Sequence, residues 1–226
     1  MVLTIVRKEL RETRVFAALA LGLYLIYVSK LTGKWSPLLT SLLGWAPGMN
    51  AEAADVPFVE DNFLGMFFFI GVALAIALGF RQSAWEPSQG TALYLLHLPL
   101  RRDTIFVTKL LTGIGLLLGC TLLPLLIYAT WAAIPGTHPG PFEWSMTGPA
   151  FHMWLFMPLV YLAAFASGIR PARWFGSWLL PLASVAFSSA LLVFVPHWWL
   201  IAFPLLLLVG AVLVSDILWE ADTRDF

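Results

Sequence analysis

The chain has 226 residues, 60% hydrophobic and 12% charged, with a mean hydropathy of +0.84. Soluble domains run about 45–50% apolar and about 25% charged, and a domain of this length exposes too much surface to hide the excess. Lipid as the solvent resolves the mismatch and excludes a soluble enzyme, a secreted disulfide scaffold and a disordered chain. Lys plus Arg equals Asp plus Glu at 13 each, so no basic domain awaits a nucleic acid. The single cysteine, Cys120, lies in an apolar run and makes neither an internal disulfide nor a structural zinc site.

The expected class is all-α: a single transmembrane domain over residues 1–226, with six spans of the roughly 20 apolar residues a bilayer requires. Continuous apolar runs, without alternation, exclude a β-barrel wall. Residues 2–14 come first, as an interfacial helix. Val2, Val6 and Leu10 recur every fourth position, and Arg7, Lys8, Arg11, Glu12 and Arg14 turn toward lipid headgroups and water. The first span is Val15–Leu31, an uncleaved anchor. An outer loop over 32–61 carries Trp35, Pro37, Trp45, Pro47 and Gly48; a lid, a lipid-facing foot and a partner contact are equally open for it. Within it, Leu38–Leu43 can dip back into the membrane.

The second span is Phe63–Phe80 and the third Ile105–Ile134. Between them, over 81–104, Pro87 suits a first helical position and Pro99 a stop, with a leucine stripe in between. That spacing predicts a short amphipathic helix, which needs the bilayer surface or a soluble partner to pack on. Asp103 or Thr104 is placed to cap the third span. The remaining spans are Phe151–Ile169, Trp174–Val195 and Trp198–Ser215, the fourth preceded by a Pro- and Gly-rich outer loop.

Eleven of the 13 basic residues fall on one side of a six-span topology, leaving only Lys30 and Lys34 opposite. Both termini are therefore expected in the cytoplasm. Tryptophans near the span ends fit interfacial belts. Gly115 and Gly119 form a Gly-x-x-x-Gly helix-packing pattern, within the chain or at a dimer seam. Ser184, Ser188 and Ser189 line a path or bond backbone carbonyls. The middle of every span lacks Asp, Glu, Lys, Arg and His, so a proton relay, a voltage sensor and an intramembrane aspartyl protease have no residues to work with. No zinc or phosphate-loop motif is present, and no metal or cofactor is expected in this chain.

Residues 86–112 carry Glu86, Gly90-Thr91, Leu93, Leu95, Leu96, Pro99, Arg101, Arg102 and Lys109, and residues 7–10 read Arg-Lys-Glu-Leu. This segment resembles the cytoplasmic loop of type-2, exporter-type ABC transporter permeases. In that pattern an acidic residue, a Gly-Thr pair, a leucine-rich turn and Pro-x-Arg precede a Lys that opens the third span. The first outer loop is longer than in many small members, and the link between spans five and six is very short. The resemblance implies a permease subunit in a bacterial plasma membrane, not itself an enzyme. It would pair with a second permease, the same chain or a homologue, and with a cytoplasmic ABC ATPase that binds ATP and magnesium. Glu86, Gly90, Thr91, Leu93, Leu96, Pro99, Arg101 and Arg102 would then form the coupling helix and its basic flank, docked on the ATPase, with membrane lipid as the other partner. A non-transporting membrane scaffold or assembly subunit is the rival reading. A lipid-modifying enzyme is the third, and no nucleophile–His pair or acid/base pair speaks for it.

Overall fold

The computed structural model describes residues 2–33, 56–85, 101–170, 179–185 and 198–223. These are helices and connecting turns, with no strand among them. In chain order they are α1 (Val2–Leu31), α2 (Phe63–Ser83), α3 (Arg102–Ala132), α4 (Gly148–Ile169) and α5 (Phe203–Thr223). A 3₁₀ turn, Trp144–Thr147, leads into α4, and a π turn, Trp198–Ala202, leads into α5. Counted with these lead-ins, five helices among the described residues are long and apolar enough to cross a membrane, as in a multi-pass membrane protein. Most of the expected fifth span lies outside the described residues; its described part, 179–185, is helical. The coupling residues Glu86, Gly90, Thr91, Leu93, Leu96 and Pro99, and residues 34–55 of the outer loop, also lie outside them.

Residues 2–14 and the first span are one helix, where two elements were expected. Thirty residues at about 1.5 Å each make about 45 Å, as long as a bilayer with both headgroup layers. The buried face of its first turns is Ile5, Glu9, Thr13 and Ala17, and not Val2, Val6 and Leu10. Leu3 and Leu10 stay exposed, as do Arg7, Arg11 and Arg14. Packing on other helices thus covers a different face from the apolar repeat that was expected to lie against lipid, because side-chain fit as well as hydropathy selects the covered face. At α3 the cap falls earlier than expected: the Thr104 and Ile105 amides donate to the Arg101 carbonyl at 3.0 and 3.3 Å. Asp103 sits inside the first turn, where a carboxylate suits the helix dipole.

The chain divides into two compact units. The first gathers Met1–Ala17, Val72–Leu118 and Phe156–Phe226. Its centre is α4, buried almost without interruption from Phe156 to Ser167. Gly79 of α2 lies against it; a Cβ there would sit 2.6 Å from the Ala164 Cβ and 2.9 Å from the Phe165 amide nitrogen. Helices meet this closely only where one side chain is absent, the usual route to tight packing when lipid offers no hydrophobic push. α5 is the outermost helix of this unit, with Leu205, Leu207, Leu208 and Val212 exposed.

The second unit gathers Ala18–Gly71 and Gly119–Leu155 around an aromatic core. Phe63 stacks on Phe67, with centroids 5.5 Å apart, and meets Tyr128 at 4.6 Å. Tyr24 donates its hydroxyl to the Phe67 carbonyl at 2.8 Å. Phe58 enters the same core at φ 66°, a left-handed backbone that costs a non-glycine residue about 1–3 kcal/mol. Asp61 holds it there: one carboxylate oxygen accepts from the Phe58 amide at 3.1 Å and from the Tyr128 hydroxyl. The other accepts from the Phe63 amide at 3.0 Å, capping the start of α2.

Candidate functional site

Four polar side chains are buried together in the first unit: Glu9 of α1, Gln82 of α2, Lys109 of α3 and Tyr161 of α4, none more than 3% exposed. Gln82 is the hub. Its side-chain amide donates Nε2–H to Glu9 Oε2 at 3.0 Å, and its Oε1 accepts the Tyr161 hydroxyl proton at 2.6 Å. Its backbone carbonyl, one of the unpaired acceptors that end every helix, lies 3.5 Å from the Lys109 ammonium. A cation at that end also suits the dipole of α2. Lys109 Nζ stands 3.7 Å from Glu9 Oε1, closing the set into an ion pair with an amide between its members. Thr13 returns its hydroxyl to the Glu9 carbonyl at 2.7 Å.

Local sequence explains how these groups reach one another. Gln82 is the last residue but one of α2, just beyond the apolar run, so its amide leaves the helix where polar partners begin. Lys109 lies two turns into α3, and its long stem lets the ammonium reach back to the end of α2. Gly113, one turn further, leaves the space that the Tyr161 hydroxyl and Gln82 Oε1 occupy; a Cβ would collide with both. A buried charge without its partner costs several kcal/mol, so the two charges depend on each other.

The first unit also holds half-buried ion pairs. Arg81 reaches Glu12 at 3.5 Å and lies over the Trp85 ring at 4.6 Å, while Lys8 reaches Glu12 at 3.7 Å. Arg170, just after α4, pairs with Asp216 of α5 at 2.7 Å. Each such surface pair contributes about 0–1 kcal/mol.

Of the expected site residues, Arg101 and Arg102 are described. Arg101 is exposed and pairs with Asp103 at 3.5 Å; Arg102 is half-buried. Gly115 and Gly119 are exposed, and no described atom comes within 4 Å of where a Cβ would sit on either. Among the described residues Gly79, Gly113 and Gly168 are the glycines in close contact with a neighbouring helix, Gly113 because α3 turns Leu110, Gly113 and Leu117 inward. Ser184 gives its hydroxyl to the Pro181 carbonyl at 2.7 Å, as the backbone-bonding role expects. Among the described residues no three His, Cys, Asp or Glu side chains gather into a metal set.

Sequence reasoning missed the hub. Glu9 was legible only as part of the Arg-Lys-Glu-Leu run, and Gln82 and Tyr161 carried no signal. Lys109 read as a flank of the span, yet it is as buried as the core. The chain matches no protein-family model, no curated protein and no solved structure.

Proposed function

We propose that the chain is the membrane-spanning permease subunit of an ABC-type transporter, moving a substrate across a bacterial plasma membrane with ATP hydrolysed by a separate subunit. Six spans, both termini in the cytoplasm, a second permease beside it and an ATPase docked on residues 81–104 belong to this reading. The basic residues of 2–14 and 101–102 would lie toward cytoplasmic lipid headgroups.

One observation carries it. The Arg-Lys-Glu-Leu run and the loop ending at Lys109 were separate marks of the permease resemblance, 100 residues apart between Glu9 and Lys109. Their charged members meet at 3.7 Å inside the protein. The pair ties the N-terminal helix to the flank of the loop, which supports reading the two marks as parts of one architecture. The same tie brings together the end of α2 and the start of α3, the helices that bracket the loop. A force applied to the loop would therefore load α1 and α4 as well.

The scaffold reading draws on the same hub. Its polar groups all hold helices together, as in a subunit that only assembles. The two readings part on a pull-down of tagged chain in mild detergent, with mass spectrometry and an ATPase assay on the eluate. An ATPase subunit whose turnover falls on altering Gly90–Leu96 is expected. Elution alone or with integral-membrane partners only overturns the transporter reading in favour of the scaffold.

A further inference from the structure

We propose that Gln82 is a positioning residue that transmits movement of the α2 and α3 ends to α1 and α4; the inference rests on the transporter reading. The three polar functions of this one residue go to three different helices: Nε2–H to Glu9 of α1, Oε1 to Tyr161 of α4, and the backbone carbonyl toward Lys109 of α3. The carboxamide is planar and rigid, so the directions of its donor and acceptor are set relative to each other. α1 and α4 cannot shift independently against α2 without breaking one of these bonds.

Breaking one is costly. All four side chains are buried, so no bulk water replaces a lost partner, and a low dielectric strengthens the bonds that remain. The ion pair raises the stakes, since separating Glu9 from Lys109 parts two buried opposite charges. Gly113 bears on the same point, because the Tyr161–Gln82 bond occupies the volume its side chain would fill. A knot that only held helices together could be built from separate pairs, as Arg170 and Asp216 are. Convergence on one amide is what makes four helices answer to one displacement.

The test uses the tagged chain with its co-purifying ATPase in lipid nanodiscs, following amide hydrogen exchange with and without ATP plus vanadate. In the unaltered complex, exchange is expected to change at 80–85 and 102–109 and also in α1 (2–17) and α4 (156–169). Tyr161→Phe removes one hydroxyl and keeps the packing; the α4 response should be lost while the α1 response stays. Gln82→Met keeps the volume and removes both side-chain bonds. It should abolish the α4 response, weaken the α1 response, which the Lys109–Glu9 and Arg81–Glu12 pairs still sustain, leave those at 80–85 and 102–109, and leave the ATPase bound. Should Gln82→Met fail to insert, Tyr161→Phe alone decides. An α4 response to nucleotide that survives Tyr161→Phe or Gln82→Met, or an α1 response undiminished in Gln82→Met, would overturn the transmission role with the transporter reading intact. Wild-type chain that purifies without any ATPase would overturn both.

Discussion

Gly113 faces the Tyr161 hydroxyl and the Gln82 amide oxygen, and any Cβ there meets both. Overpacking a tight interior costs about 1–3 kcal/mol. Gly113→Ala is therefore expected to lower the thermal midpoint in detergent by an amount in that range. Adding Tyr161→Phe to Gly113→Ala should recover part of the loss, because it removes an atom in the clash. Residues that share a contact are non-additive in this way, and strict additivity of the two changes would mean that the clash is relieved elsewhere. Gly115→Ala should be near neutral in the same measurement, since the space around that position is open among the described residues.

At the scale of the helix, the start of α2 depends on Asp61. One carboxylate caps the helix, holds the left-handed Phe58 and takes the Tyr128 hydroxyl. Asp61→Ala removes a cap worth about 1 kcal/mol and strands a buried hydroxyl at a further cost of about 1–3 kcal/mol. Asp61→Asn keeps an acceptor for the backbone amides and should lose less. Hydrogen exchange in the first turn of α2 checks the difference; equal protection in the two variants would show that Asp61 is not what holds the turn. Pro124 and Pro158 lie inside α3 and α4, a placement that membrane helices tolerate where neighbours satisfy the freed carbonyls.

Across the whole chain, the exposed apolar faces are what a lipid solvent requires. Leu19, Leu23, Phe69, Leu111, Leu200 and Leu208 are more than half exposed, far beyond what a water-soluble surface of this kind carries. Leu208 sits near the middle of the apolar part of α5, away from the buried positions Leu206 and Leu213. Leu208→Arg should cost about 2.5–3.5 kcal/mol in membrane insertion, measured by glycosylation-site mapping or carbonate extraction. Full insertion of that variant would mean that α5 does not face lipid there.

The all-helical class follows from composition and apolar run length, because lipid cannot satisfy a bare backbone and so demands long, continuous helices. The second, third and fourth spans accordingly sit within about three residues of their expected ends. Which way each helix turns was not legible. In water, an apolar stripe marks the buried face; in lipid, both faces are apolar and the stripe loses its meaning. For that reason the Val2, Val6 and Leu10 repeat did not reveal that Ile5, Glu9, Thr13 and Ala17 form the covered face of α1, and nothing in the sequence singled out Gly113. Glu9, Gln82, Lys109 and Tyr161 stand 27 or more residues apart in sequence. No local pattern links them. They become a site only because four separately specified helices rotate their few polar groups toward one another, the arrangement that keeps two buried charges paired.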